Sequence, residues 1–142
     1  LYATSKDFTL EAYEEVPNVL AALRRQGVMV GVCSNWDWDL EGAMGHAGLE
    51  NMADVVVTSA RAGVRKPHPR IYHQALTMCG VRPSDTLFVG DSWGPDVEGP
   101  LATGLQPVHV WRKGEPGFNG RPPRLIRGVK RIPDLRGVLD LV

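Results

Sequence analysis

The sequence lacks the features that mark membrane, secreted and nucleic-acid-binding proteins. Lys plus Arg equals Asp plus Glu, 16 of each, so the net charge of the 142 residues is zero. A neutral chain is a poor general binder of nucleic acid or acidic membranes. No apolar run approaches the roughly 20 residues that span a bilayer, and no signal-peptide pattern is visible. We therefore expect a cytoplasmic protein with neither a membrane nor a nucleic acid as its partner.

Cysteine is also scarce, with two residues in the chain. Cys33 and Cys79 both lie in apolar stretches, without CxxC spacing and without a histidine at zinc-site spacing. This pattern predicts two buried free thiols and suits a reducing compartment. Hydrophobic residues make up 43% and charged residues 23%, which is typical of one globular domain.

Apolar runs rich in β-branched residues alternate with segments of helical periodicity. The predicted strands cover 28–33, 54–59, 86–89 and 106–111, with a short edge strand at 125–129. Helices are predicted from Val16 to Gly27, from Asp37 or Asp39 to about residue 47, and over 71–79, 96–102 and 135–142, with a loop over 60–69. Alternation of this kind predicts an α/β fold, a three-layer Rossmann-like parallel sheet.

Polar residues follow the predicted strands, where ligands bind in such sheets. Ser34 and Asn35 follow the first strand, Lys66 lies after the second, and Asp91 and Asp96 follow the third. A hydroxyl, an amide and an ammonium group suit a phosphate, and carboxylates suit Mg²⁺. Each residue alone has an ordinary interpretation as a turn, cap or surface residue. Their joint order predicts a site for a phosphate and a magnesium ion.

Three stretches carry a family resemblance. VMVGVCSN (28–35), RKPHPRIYHQAL (65–76) and LFVGDSWGPDVEGPLATG (87–104) resemble motifs II, III and IV of the haloacid dehalogenase-like hydrolases. The third is the most specific, and the order of the three matches the family. The chain is identified as a member of the phosphatase branch, in which a cap is inserted between motifs I and II.

The resemblance implies a role for each matching residue. Ser34 would hydrogen-bond the transferring phosphoryl group, and Asn35 would support the substrate or the loop. Lys66 would hold the phosphoryl oxygens and the nucleophile. Asp91 would ligate Mg²⁺, and Asp96 would position metal-bound water or Asp91, so both are predicted at the metal. The implied activity is hydrolysis of a small phosphate ester through an aspartyl-phosphate.

Motif I, a DxD after the central strand, has no counterpart in the expected place. The one DxD, Asp37-Trp38-Asp39, follows motif II, so we interpret it as helix capping. Residues 1–8 contain no strand-like run. We expect residues 1–15 to be the end of the cap or its linker, and 16–142 to be the core domain without its central motif I strand. The intact protein would extend N-terminally, and this chain alone would be inactive.

Alternatives from other classes stay open. A 2-haloacid dehalogenase would share the nucleophile but needs no metal, and Asp91 argues against that branch. An inactive relative that binds ligands or proteins is a second alternative. A response-regulator receiver is disfavoured by the residue order, and no GxGxxG supports a dinucleotide-binding domain.

Pro95 and Pro100 depart from the family pattern without removing a ligand. Trp36, Trp38 and Trp93 would line a substrate entrance or simply pack.

Overall fold

Strands alternate with helices throughout the computed structural model, which describes residues 2–3 and 10–142. The predicted α/β fold with parallel strands is confirmed. The strands are β1 (Tyr2–Ala3), β2 (Leu10–Glu11), β3 (Gly31–Ser34), β4 (Val55–Thr58), β5 (Leu87–Gly90), β6 (Gln106–Val110) and β7 (Lys130–Ile132). The α-helices are α1 (Val16–Arg25), α2 (Leu40–His46), α3 (Ser59–Ala62), α4 (Pro69–Cys79) and α5 (Gly99–Ala102). A π-helical turn (Trp93–Glu98) and 3₁₀ turns (Pro83–Asp85, Leu135–Asp140) complete the chain.

The parallel strands form two groups. β3 pairs with β4 so that Ser34 lies opposite Thr58. β5 pairs with β6, and β6 pairs with β7, in a three-stranded group. Within the described residues, neither β3 nor β5 has a partner on its other edge. Among the described residues, β3 and β5, after which predicted site residues lie, are therefore each at the edge of their strand group.

Apolar side chains from both strand groups share one core, so the groups pack as parts of the same molecule. Val30, the residue before β3, belongs to the same buried cluster as Val108 and Val110 of β6, with Val89 of β5 against it. Helix α1 covers this cluster with Val19. Burying such side chains contributes roughly 1.5–3 kcal/mol each, which supplies the rigidity on which a site can be built.

Several local predictions need correction. The first residues do contain a strand, because Tyr2–Ala3 pairs antiparallel with Leu10–Glu11; a two-residue ribbon is too short for a periodic pattern. The predicted loop over 60–69 contains α3, which Thr58 caps by accepting from the Arg61 N–H. The edge strand lies at β7 and not at 125–129, because Gly128 adopts a φ of 87° and interrupts extended backbone just before it.

The predicted helix over 96–102 is only partly regular. The segment begins as a π-helical turn at Trp93 and becomes α-helical at Gly99. Pro95 and Pro100 lack the N–H that a regular helix needs, which accounts for the change of winding.

The two cysteines are free but only half buried, so the prediction that both thiols are buried was wrong. No helix in the described part of the chain is long and apolar enough to cross a bilayer.

Candidate active site

The loops after β3 and before α4 are joined through Asn35. Its side-chain amide donates to the Lys66 carbonyl oxygen at 3.1 Å, and its carboxamide oxygen accepts from the Lys66 N–H at 2.7 Å. Two hydrogen bonds in opposite directions fix the backbone at Lys66. The sequence placed these residues at separate strand ends, and the structure brings them into direct contact.

Lys66 then reaches across to the second strand group. Its ammonium Nζ lies 2.5 Å from Asp96 Oδ1, and only 11% and 8% of the two side chains are exposed. The ammonium also lies 5.4 Å from the centre of the Phe88 ring. A buried charge is tolerated only when it is paired and hydrogen-bonded. The ion pair therefore fixes the position of both charged groups between the two strand groups.

The second oxygen of Asp96 is occupied as well. Asp96 Oδ2 accepts from the Ser92 N–H at 3.0 Å. The space for this carboxylate exists because residue 90 is glycine: a Cβ on Gly90 would lie 2.3 Å from the carboxylate carbon of Asp96. The glycine of the GDS sequence is thus required by close packing, independently of any turn conformation.

Asp91 differs from Asp96 in exposure and in its partners. Asp91 is exposed, and its Oδ1 accepts from the Ser92 hydroxyl at 3.3 Å. The other face of its carboxylate is open to solvent or a ligand. Of the two predicted metal ligands, the structure therefore leaves Asp91 accessible and engages both oxygens of Asp96.

Ser34 ends β3 and is half buried. Its hydroxyl makes no hydrogen bond to another residue in the part of the chain that the structure describes. Next to it lies an open cleft whose lining includes Asn35, Trp36, Asp37 and Arg65. The cleft is at the carboxyl ends of β3 and β4, and Asn35, the residue after Ser34, is part of its lining.

Two positioning residues were missed by the sequence reasoning. Ser59 accepts from the Trp36 N–H at 3.0 Å and donates to the Trp36 carbonyl at 3.2 Å, which fixes the loop after Ser34. Tyr72 is 1% exposed, and its hydroxyl donates to the Pro95 carbonyl at 2.5 Å. That contact braces the turn that carries Asp96. Ser59 directly follows β4, but the predicted strand over 54–59 included it, and Tyr72 lies inside α4, so neither was singled out from the sequence.

The three tryptophans near the motifs have different surroundings. Trp36 lines the cleft, whereas Trp38 is 68% exposed and lies 5.9 Å from the Arg61 guanidinium. Trp93 packs edge-on against His109 at 5.2 Å. The DxD segment behaves as predicted: Asp39 caps α2 by accepting from the Gly42 N–H at 2.9 Å.

The pKa of the Cys33 thiol is affected by the charged groups of this site. Burial raises the pKa of Cys33 to about 11, with Asp96 adding to the rise and Lys66 opposing it. The group is therefore a neutral thiol at physiological pH. A role as a nucleophile is not favoured by its surroundings.

The donor groups fit a hard cation with few protein ligands. Among the described residues, no three His, Cys, Asp or Glu side chains gather into a group that could hold a metal. Mg²⁺ commonly uses one or two carboxylates and completes its shell with water and phosphate oxygens. The exposed Asp91 carboxylate suits this mode. Direct ligation by Asp96 would compete with its bonds to Lys66 and Ser92.

Comparison with known proteins identifies relatives of the chain. Residues 6–104 match the model of the haloacid dehalogenase-like hydrolase family. The chain is 38% identical over 104 residues to haloacid dehalogenase-like hydrolase domain-containing protein 3 from Homo sapiens, covering 70% of the chain and 41% of that protein. It is 35% identical over 128 residues to phosphoserine phosphatase from Thermus thermophilus, covering 89% and 49%. The chain thus spans about half or less of the length of these relatives.

The fold also matches a solved structure. The crystal structure of a dehalogenase with an intermediate complex superposes with a TM-score of 0.82 at 25% sequence identity, covering 94% of this chain and 57% of that one. The matched proteins therefore include both a phosphatase and a dehalogenase. A choice between these activities has to come from the side chains at the strand ends.

Proposed function

The chain belongs to the haloacid dehalogenase-like hydrolases, and from this premise we propose that the full-length protein hydrolyses a small phosphate ester with the help of Mg²⁺. The observation that carries the proposal is the linked set Asn35, Lys66 and Asp96, which holds one ammonium group at the sheet edge. Asp96 also accepts from the N–H of Ser92, the residue after the exposed Asp91. A cation from the protein together with a metal ion can stabilise the charge of a phosphate dianion.

Each residue has a defined task in this proposal. Ser34 donates its free hydroxyl to a phosphoryl oxygen, and Asn35 keeps the Lys66 backbone in place. Lys66 neutralises phosphoryl charge as a point cation. Asp91 holds Mg²⁺, and Asp96, the second predicted metal residue, positions Lys66 and the Asp91 loop. When bound, Mg²⁺ would supply the remaining charge stabilisation for the phosphoryl group.

The nucleophile belongs to the same proposal. We assign it to an aspartate on a strand outside these 142 residues that would pair with the free edges of β3 and β5. Support comes from the two edges, which lack a second partner within the described residues. Unpaired backbone groups are costly when buried. The aspartate would end that strand beside Ser34 and Lys66 and form an aspartyl-phosphate.

The domain limits are proposed on related grounds. Residues 16–142 would form the core, and 1–15 the end of a cap or its linker. Support for a linker that docks on the core comes from Glu15, which forms an ion pair with Arg112, and from Tyr13, whose ring lies 3.6 Å from the Arg112 guanidinium. The absence of nucleic acid and membrane partners rests on the zero net charge, and a cytoplasmic location rests on the two cysteines without CxxC spacing; both stay predictions.

A second candidate activity is haloacid dehalogenation, because the superposed dehalogenase shares the fold. That reaction needs no metal in the family. The exposed carboxylate of Asp91 would have no partner charge in such a site, whereas a metal-dependent phosphatase uses it. The geometry therefore supports the phosphatase better.

One experiment separates these activities. The full-length protein is assayed with p-nitrophenyl phosphate, with and without Mg²⁺, and for chloride release from 2-chloropropionate. We expect hydrolysis that needs Mg²⁺ and falls to background in Asp91→Asn, while Asp140→Asn, an exposed aspartate near the C-terminus, keeps full activity. Metal-independent chloride release would establish the dehalogenase instead, and no turnover of either substrate would favour the inactive binding protein.

A further inference from the structure

A buried histidine lies behind the Asp91 loop, outside the predicted motifs. His109 is 1% exposed and belongs to β6. In the strand register it lies opposite Gly90 on one side and Arg131 on the other. Residues paired in register project to the same face of a sheet. The row Gly90–His109–Arg131 therefore runs across three strands toward the proposed metal ligand.

The hydrogen bonds of His109 fix its tautomer. Arg131 Nε donates to His109 Nδ1 at 2.9 Å, and His109 Nε2 lies 3.1 Å from the Asp91 carbonyl oxygen. A guanidinium can only donate and a carbonyl can only accept. Nδ1 is therefore the acceptor, and Nε2 carries the proton and donates a hydrogen bond to the Asp91 carbonyl oxygen.

The ring is held in this orientation by its neighbours. Trp93 meets it edge-on at 5.2 Å and Trp111 lies at 6.0 Å. The Arg131 guanidinium is 5.9 Å from the Trp93 ring, and its Nη2 donates to the Pro123 carbonyl at 2.5 Å. A ring enclosed in this way has little freedom to turn, so it presents one donor in one direction.

Both polar groups of the peptide unit between Asp91 and Ser92 make hydrogen bonds to side chains. His109 donates to its carbonyl oxygen, and its N–H donates to Asp96 Oδ2 at 3.0 Å. A peptide unit is planar, so these two bonds fix the orientation of the whole plane. The plane includes the Cα of Asp91, so the two bonds also fix the point at which the Asp91 side chain leaves the backbone. The carboxylate itself has only the Ser92 hydroxyl, at 3.3 Å, to orient it.

We propose that His109, oriented by Arg131, is a positioning residue that holds Asp91 in the conformation that binds Mg²⁺. The inference deepens the proposed function and rests on Asp91 being its metal ligand. His109 touches neither metal nor substrate. Outer partners of metal ligands typically alter metal affinity by about 10- to 100-fold when they are removed. An effect through the backbone belongs at the lower end, about 10-fold.

A matched pair of substitutions in the full-length protein tests this role. His109→Gln places an amide donor near the position of Nε2, whereas His109→Asn places its amide near Nδ1 and can satisfy only Arg131. We expect the Ser92 amide to exchange with solvent about as slowly in the Gln variant as in the parent, and about 10-fold faster in the Asn variant. Mg²⁺ affinity measured by calorimetry should follow the same order. His73→Gln, at an exposed position of α4, is the control.

The outcomes separate this inference from the proposed function. Exchange and Mg²⁺ affinity that are equal in the Gln and Asn variants would overturn the positioning role, whatever the activity. A nitrogen-15 spectrum with the proton of His109 on Nδ1 would also overturn it. If the parent binds Mg²⁺ and the two variants differ as expected, but no phosphate ester is hydrolysed, the proposed function fails and the positioning role stands.

Discussion

The two strand groups support their polar residues in different ways. At the ends of β3 and β4, the residues are held by bonds between loops, such as the paired contacts of Asn35 with Lys66 and of Ser59 with Trp36. At the end of β5, support comes from a buried row across three strands, ending in His109 and Arg131. The first arrangement leaves Ser34 next to an open cleft, and the second fixes one peptide unit.

The difference suggests different tolerances. A loop clamp, meaning a pair of hydrogen bonds between two loops, can adjust to a ligand, since only the loop has to move. A row built into strand register cannot move without breaking ladder hydrogen bonds. The Lys66–Asp96 ion pair joins the two arrangements. Removing it by substitution is therefore the first test of the comparison.

Lys66→Met should have the largest effect on stability. It leaves the Asp96 carboxylate buried without its cation, which costs roughly 3–5 kcal/mol of unfolding free energy. Urea unfolding of the full-length protein at pH 7 measures this loss. The double variant Lys66→Met/Asp96→Asn should recover much of it, because the unpaired charge is gone. A loss below about 1 kcal/mol in the single variant would mean that the ion pair does not hold the two groups together.

Asn35→Ala tests the loop clamp. It removes two hydrogen bonds at the Lys66 backbone, and we expect a loss of about 2 kcal/mol at about 1 kcal/mol for each bond. The full-length protein should also lose affinity for inorganic phosphate, because Lys66 is no longer held. Unchanged phosphate affinity together with the stability loss would limit Asn35 to a structural role.

Tyr72→Phe tests the brace behind the π-helical turn. The hydroxyl that donates to the Pro95 carbonyl is lost, and we expect a loss of about 1 kcal/mol in urea unfolding. Gly99 permits the close approach, since a Cβ there would lie 2.2 Å from the Tyr72 hydroxyl. The substitution removes only the hydroxyl oxygen, so the vacated space stays small. An increase in stability would show that the bond has no net value.

Glu41→Gln provides the reference with the smallest expected effect. Glu41 pairs with Arg61 through both carboxylate oxygens, but half of its side chain is exposed. Exposed pairs of this kind contribute little, so the unfolding free energy should be unchanged within the error of the measurement. A loss comparable to that of Lys66→Met would contradict the contrast drawn between the buried and the exposed ion pairs.

The sequence predicted the fold and the residues at strand ends because those carry local signals. Apolar runs mark β3 to β6, and residues that follow them meet at one sheet edge, which brought Ser34, Lys66 and Asp91 into consideration. Their catalytic and metal-binding roles stay predictions. The family assignment, made on the three motif stretches, is confirmed by the match over residues 6–104.

The supporting residues could not be predicted because their partners are far away in the chain. His109 lies 18 residues from Asp91 and reads as an ordinary strand residue. Tyr72 reads as helix surface until the π-helical turn is placed 23 residues later. The position of β7 was missed because the apolar residues of 125–129 suggest a strand, whereas pairing with β6 selects Lys130–Ile132.

The most direct test of the account is a crystal structure of the full-length protein grown with Mg²⁺ and inorganic phosphate. We predict Mg²⁺ bound by the Asp91 carboxylate, and a phosphate that accepts hydrogen bonds from Ser34 and Lys66. The His109 and Ser92 bonds around the 91–92 peptide should be unchanged. A phosphate bound elsewhere, or Asp91 without metal at saturating Mg²⁺, would contradict the assignment of this sheet edge as a magnesium-dependent phosphatase site.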